Sequence, residues 1–379
     1  MNKTTYLDYA AATPMDPAVL EAMQPYFSID FYNPSATYLP AQKVAKDIEA
    51  ARSQVAGLLG VKPSELYFVA GGTEANNLAI HGVMQQYPNG HMIVSAIEHE
   101  SVLKPAEDYR HTLAPCGTDG IVDVKALEKA VKDDTVLISI MYANNEIGTV
   151  QPLREIAEIV EKARKIRITK GNETPLYFHT DACQAGAYLD IHANRLGLDM
   201  MSLNGGKIYG PKQSGVLFVK AGIVLRSQIT GGGQESGLRS GTENVPAIIG
   251  FAKALELAQR NRQEETKRLS SLQQLFIDQL KEKIPIAVIN GSLKRRLPNN
   301  VHLTISGYDN ERLLLELEEK GILAAAGSAC SASSEEPSHV LKAIGVSGKD
   351  AQASLRFSAG KLTTQKDVIH AVNSLAACL

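Results

Sequence analysis

The 379-residue chain has almost no net charge, only four cysteines and no long apolar run, and each shortage removes a class of protein. A formal charge of -2 gives no whole-molecule field for a polyanion or a membrane surface, so no direct nucleic-acid binding is expected. Cys116, Cys183, Cys330 and Cys378 have neither paired CxxC spacing nor the density of a disulfide scaffold, which argues against structural zinc and bridged frameworks. No segment is apolar for long enough to span a bilayer, and the opening run Met1-Asn2-Lys3-Thr4-Thr5-Tyr6-Leu7-Asp8 lacks the core of a signal peptide. A cytoplasmic protein with no membrane partner is predicted. Hydrophobic residues at 44% and charged residues at 21% are ordinary for a soluble globular enzyme. The length exceeds a usual single core, which predicts two domains.

What is present is an α/β pattern. Short apolar segments at 66–70, 92–96, 136–141, 176–180, 200–203 and 215–219 read as strands, several of them continuous runs suited to burial on both faces. Helical periodicity covers 41–59, 153–166 and one long stretch from 247 to about 283, which is predicted to link the domains. Further strands are expected around Ile286, Val301 and Leu355, with helices from Asn310 to Lys320 and from Thr364 onward. A large domain with a central, mostly parallel sheet and a smaller α+β domain follow.

Four segments carry candidate chemistry. In Leu66-Tyr67-Phe68-Val69-Ala70-Gly71-Gly72-Thr73 a strand meets a glycine turn and a helix start. Free N–H groups, the helix dipole and the Thr73 hydroxyl would converge there on a phosphate, unless Thr73 is an ordinary N-cap. Phe178-His179-Thr180-Asp181 and Ser202-Leu203-Asn204-Gly205-Gly206-Lys207 end strands in an acid and a lysine, where open α/β sheets bind ligands. Lysine, acid and phosphate cradle together match the needs of pyridoxal 5'-phosphate: an amine for its aldehyde, a carboxylate for its ring nitrogen and an anchor. Lys212 competes with Lys207 for the aldehyde, but Lys207 is preferred because it comes directly off its strand while Pro211 sets Lys212 on a separate turn; Asp181 also reads as an N-cap, and Cys183 reads as a core residue. Finally, Ala326-Gly327-Ser328-Ala329-Cys330-Ser331-Ala332-Ser333 predicts a mobile loop with one unhindered thiol, Cys330, fit to be a nucleophile although an incidental surface cysteine would look the same.

Taken with further motifs, these residues resemble cysteine desulfurases of the NifS/IscS type, in the class V aminotransferase family. The resemblance rests on Tyr6-Leu7-Asp8-Tyr9-Ala10-Ala11-Ala12-Thr13-Pro14, Gly71-Gly72-Thr73-Glu74-Ala75-Asn76-Asn77, Glu98-His99-Glu100-Ser101, Asn144-Asn145-Glu146-Ile147-Gly148, Lys207-Ile208-Tyr209-Gly210-Pro211-Lys212, Arg239-Ser240-Gly241-Thr242, Gly327-Ser328-Ala329-Cys330, Glu336-Pro337-Ser338-His339 and Leu355-Arg356-Phe357-Ser358. It implies the aspartate-aminotransferase-like fold (fold type I), with a cofactor domain at 15–260, a small domain from 1–14 and 261–379 carrying the cysteine loop, and a homodimer.

The same resemblance implies roles. Lys207 would bond the cofactor and move protons at the substrate α-carbon, Asp181 would pair with the pyridine nitrogen, and His99 would stack on the ring and assist acid–base steps. Asn145 and Gln184 would hydrogen-bond cofactor or substrate, Thr73 with Gly72 and Asn204 would hold the phosphate, and Thr242 would reach it from the partner subunit. Arg356 would grip the carboxylate of L-cysteine. Cys330 would take the sulfur as a persulfide, leave alanine, and pass sulfur to an acceptor protein, either a transfer-RNA-thiolating enzyme or an iron–sulfur scaffold. The loop from Cys330 to Ser338 has the longer NifS/IscS form, not the shorter SufS-like one.

Three departures qualify the match. Relatives usually carry histidine where this chain has Gly206 and serine where it has Asn204, so two phosphate donors are absent or changed. Weaker or more exchangeable cofactor binding is expected, with Asn204 keeping an N–H donor and Gly206 exposing its backbone N–H. Tyr38 stands where histidine is common, and its hydroxyl either reaches the pocket or packs. The chain ends soon after its last helix, without the tail by which iron–sulfur members dock a scaffold, which favours a transfer-RNA-thiolating acceptor at least equally. Alternatives are a selenocysteine lyase or another aminotransferase-like enzyme, and a noncatalytic persulfide relay.

Overall fold

The computed structural model describes residues 4–327 and 337–379. Cys330 and its neighbours from 328 to 336 lie outside the described residues. Among the described residues twelve strands follow in chain order: β1 (Thr5–Tyr6), β2 (Leu66–Val69), β3 (His91–Ser95), β4 (Arg110–Ala114), β5 (Thr135–Ser139), β6 (Tyr177–Asp181), β7 (Met200–Asn204), β8 (Gly215–Val219), β9 (Val288–Ile289), β10 (Asn300–Thr304), β11 (Ile322–Leu323) and β12 (Ser354–Ser358). The largest sheet has the order β2-β8-β7-β6-β5-β3-β4. Only β8 runs antiparallel to its neighbours; every other pairing is parallel.

The apolar runs explain this sheet. Every residue of β3, β5 and β8 is buried, and successive side chains serve opposite faces. Met92, Leu137, Met200 and Leu217 pack with Leu78, Ala79 and Val83 of the helix Gly72–Met84. Ile93, Ile138, Met201 and Phe218 pack on the other side with the helices Leu39–Leu59, Leu153–Thr169 and Val245–Arg260. The sheet is therefore a filling between helical layers. Strand β4, with the sequence RHTLA, escapes a search for apolar runs because it is an edge strand whose side chains are mostly exposed.

One expectation needs correction. The stretch 247–283 is two helices, Val245–Arg260 and Arg262–Lys283, parted at Asn261. Between Leu257 and Leu269 the sequence runs through Arg260-Asn261-Arg262-Gln263-Glu264-Glu265-Thr266-Lys267, so no single apolar stripe joins the two halves. The first helix packs on Leu39–Leu59, the second on Gln365–Ala376 and β10. There β10 sits between β12 and β9 in an antiparallel three-stranded sheet. Near the N-terminus β1 pairs in parallel with β11, Thr5 opposite Ile322. Among the described residues no helix is long and apolar enough to cross a membrane.

A buried ion pair fixes the segment that leads to Thr242. Glu235 accepts from Arg52 Nη1 and Nη2, both at 2.8 Å, and from the Phe68 N–H at 2.8 Å. This holds Glu235 and Ser236 at φ of 47° and 55°, a region costly for residues other than glycine. Removing the carboxylate leaves a largely buried guanidinium with the exposed Glu49, at 3.0 Å, as its remaining countercharge. Glu235→Ala is expected to cost about 3–5 kcal/mol, measured as a fall in the urea midpoint at constant slope.

Candidate active site

Strand ends deliver the first groups. Asp181 is the last residue of β6, and Asn204 ends β7 and caps the turn Gly205–Lys207 by accepting from the Gly206 N–H at 2.9 Å. Opposite them the helix Gly72–Met84 starts after Gly71, at φ 148° and with no side-chain cap. Its first N–H groups are left for a ligand. One cavity is lined by Gly72, Thr73, His99, Asn145, Asp181, Gln184, Asn204, Lys207 and Arg356. Thr242 is exposed and lies outside it.

Of the two lysines weighed from sequence, the preferred Lys207 borders this inner cavity with Asp181, whereas Lys212 borders only the outer continuation, beside Gly72, Thr73 and Lys207. The Ala10 carbonyl accepts from Lys207 Nζ at 2.9 Å and from Gln184 Nε2 at 3.0 Å. Lys212 Nζ donates to the Thr13 carbonyl at 2.8 Å. The Gly206 N–H expected to be exposed is instead consumed by Asn204, whose amide nitrogen remains near Gly72. Gly72 itself has no room for a side chain: a Cβ there would lie 2.4 Å from Cys183 Sγ. Cys183 thus walls the cavity, and burial together with Asp181 pushes its thiol well up, leaving a poor nucleophile. Tyr38 packs edge-on against Tyr32, with ring centroids 5.9 Å apart, and does not line the cavity.

Asn76 was not singled out from sequence, although a polar residue on the buried face of the apolar helix Gly72–Met84 is the signal that would find it. It is fully buried. Its Nδ2 donates to Asp181 Oδ2 at 2.6 Å and to Ser101 Oγ at 2.8 Å. The other Asp181 oxygen accepts from the Cys183 N–H at 2.9 Å. Ser101 in turn presents its N–H to His99 Nδ1 at 3.0 Å, so the neutral imidazole carries its proton on Nε2. One amide therefore orients both the acid and, through Ser101, the histidine.

Arg356, on β12, is 1% exposed. Nη1 donates to the Asn145 carbonyl at 2.9 Å and Nη2 to Asp8 Oδ1 at 2.7 Å. Asp8 supplies the countercharge that a buried guanidinium needs. Across the ladder from Arg356 lies His302, fully buried and driven down to about 3 by desolvation and by the charges of Arg296 and Arg356, so it stays neutral.

Behind His99 sits Glu98, completely buried. It accepts from the Met141 N–H at 2.7 Å, and burial, with Asp181 adding in the same direction, pushes its carboxyl up to about 8. An unfolded glutamate ionises from about 4.5, so folding becomes steadily less favourable between that pH and about 8. Glu98→Gln keeps an acceptor and removes the ionisation. It is expected to match the parent protein near pH 5 and to exceed it in stability by roughly 2–4 kcal/mol near pH 8, read from urea unfolding at the two pH values.

The family model Aminotransferase class-V matches residues 5–370. "Cysteine desulfurase IscS" of Clostridium botulinum (strain Hall) is 40% identical over 384 residues, covering 99% of this chain and 94% of that protein. "Cysteine desulfurase IscS" of Methanosarcina thermophila is 42% identical over 374 residues, covering 97% and 90%. Among solved structures, a "NifS-like protein" superposes with a TM-score of 0.90 at 31% identity, covering 99% of this chain and 98% of that one. "SspA in complex with cysteine" gives 0.81 at 35%, covering 94% and 98%.

Proposed function

The chain belongs to the aminotransferase class-V family, and from that premise we propose that it is a pyridoxal phosphate-dependent cysteine desulfurase, making L-alanine from L-cysteine and retaining the sulfur on Cys330. The observation that carries this reading is the meeting of Lys207, Asp181 and Arg356 in one cavity beside an uncapped helix start. An amine, a buried carboxylate, a guanidinium and a set of free N–H groups are the donor set that this cofactor and an α-amino acid require. The bare Gly72 supports the fit, since any side chain there would close the approach to the helix.

In this reading Asp181 pairs with the pyridine nitrogen, and Thr73, the Gly72 backbone and Asn204 hold the phosphate. When bound, the cofactor draws electrons from the substrate α-carbon. Lys207 would bond the cofactor and would hold or move the proton at the substrate α-carbon. His99, with its proton fixed on Nε2 by Ser101, stacks on the ring and serves the acid–base steps. Gln184 and Asn145 add hydrogen bonds, and Arg356 binds the substrate carboxylate with its planar fork. Cys330, as thiolate, receives the sulfur: the substrate Cβ–S bond breaks, an S–S bond forms, and Cβ gains a proton. The persulfide then passes to a protein acceptor in the cytoplasm.

A homodimer is part of the proposal. Phe27, Ile29, Phe31 and Leu39 are exposed within one short stretch, more apolar surface than a monomer keeps without use. Thr242, outside its own chain's cavity, would serve the second copy's phosphate. Mixing Lys207→Ala with Thr242→Val protein should then restore activity that neither shows alone. A mixture as inactive as its components would count against a shared site.

The test of the activity itself is release of alanine and sulfide from L-cysteine with a thiol reductant. Turnover in the parent protein and only background in Cys330→Ala is expected; absence of turnover in both overturns the reading. Arg356→Lys, which loses the fork, should lower kcat/KM by roughly 10- to 100-fold.

A further inference from the structure

The phosphate end of the cavity is short of one side chain, at Gly206, and a neighbouring lysine stands where that side chain would go. A Cβ built on Gly206 would lie 3.7 Å from Lys212 Cγ and 3.9 Å from Lys212 Cα, with Asn204 Oδ1 at 3.4 Å. The aliphatic stem of Lys212 thus runs along the space that a longer residue at 206 would enter. Its ammonium is placed from the same side. Lys212 Nζ donates to the Thr13 carbonyl at 2.8 Å, while Thr13 donates through its N–H (3.2 Å) and Oγ1 (3.1 Å) to the Gly206 carbonyl. The charge is therefore tethered beside Gly206, in the outer cavity shared with Gly72, Thr73 and Asn204.

Two further features aim this cation at an anion. Gln213, the next residue, is held at φ 56°, a left-handed conformation that costs a side-chain-bearing residue free energy and that fixes the turn carrying Lys212. Among the described residues the one carboxylate lining the same space, Glu74, is already engaged, by Arg239 Nε at 2.9 Å and the Ala70 N–H at 2.7 Å. It leaves the lysine's charge for a ligand. The helix N-terminus contributes only about half an elementary charge, against the near-dianion of a phosphate ester. With Lys207 reserved for the aldehyde, Lys212 is the lysine of this space left to supply a full positive charge.

We propose that Lys212 is the cationic phosphate ligand of this chain, replacing the side chain missing at Gly206. The assignment rests on the reading of the site as a pyridoxal phosphate site. It offers a source of charge next to a glycine at 206, because the ammonium comes from six residues further along the chain and its stem runs beside Gly206.

The experiment compares binding of pyridoxal phosphate with binding of pyridoxal, which lacks the phosphate, by absorbance titration. The parent protein is expected to prefer the phosphate form. In Lys212→Gln that preference should fall by about 10- to 100-fold, the worth of a charge-assisted hydrogen bond, while pyridoxal binding stays within about twofold. Lys212→Met, which keeps the stem and its packing, gives the same reading should the glutamine variant fold poorly. Adding Gly206→His to Lys212→Gln should recover most of the lost preference, since the space there admits a side chain. An unchanged preference in both lysine variants overturns the assignment while leaving the cofactor reading intact. Parent protein that binds neither form overturns the cofactor reading and this assignment with it.

Discussion

The carboxylate of Asp8 and the carbonyls of Ala10 and Thr13 form a strip that reaches three parts of the molecule at once. Asp8 holds Arg356 on the small antiparallel sheet, Ala10 holds Lys207 and Gln184 at the ends of the large sheet, and Thr13 holds Lys212 and the Gly206 carbonyl. Each bond joins a charge or a turn of the site to a backbone with few alternatives. A guanidinium buried to this depth is tolerable only when paired, and Asp8 is the acid that pairs it. The cavity's geometry is in this sense a property of residues 8–13, of which Ala10, Ala11 and Ala12 also line it.

Charge is arranged so that few groups inside the molecule change state near neutrality. His302 and His179 are kept neutral by burial, His179 between the hydroxyls of Ser139 and Ser202. Glu98, one residue from His99, is the exception, with a carboxyl raised to about 8. Its neutrality spares the neighbourhood a second negative charge beside Asp181. The helix Gly72–Met84 links these electrostatics to the fold: its apolar stripe seals one face of the sheet, its first turn is left open to an anion, and Asn76, on its inner side, ties Asp181 to Ser101.

Much of this was legible in the sequence because buried strands and charged strand ends leave strong local marks. The runs at β3, β5 and β8 are apolar at their centres and buried throughout, and Asp181 and Lys207 stand where such runs stop. The edge strand β4 has no such mark, since one row of its backbone groups pairs and its side chains meet water. The break at Asn261 was hidden by continuous helical propensity on both sides; only the loss of an apolar stripe for about three turns betrays it. Asn76 and Asp8 were illegible for another reason. Their importance lies in partners about 100 and 350 positions away, and a lone polar residue in a motif does not name its partner. The Gly206 N–H was misread because a cap from Asn204 is a three-residue geometric event, not a property of composition.

The pairing of β1 with β11, and of Leu7 with β12, places residues from opposite ends of the chain side by side. During synthesis the N-terminal strip emerges first and waits for the segment around 321–358 before it has anything to pair with. At ordinary translation speeds that interval is on the order of tens of seconds, during which Asp8 has no guanidinium and the strip that carries Ala10 and Thr13 has no strand to lie against. The large sheet, whose strands all fall between 66 and 219, has no such delay. The central layers are therefore free to form before the segment 321–358 exists, and the site closes only once that segment is made, so that assembly of the cavity follows assembly of the sheet that carries Asp181 and Asn204.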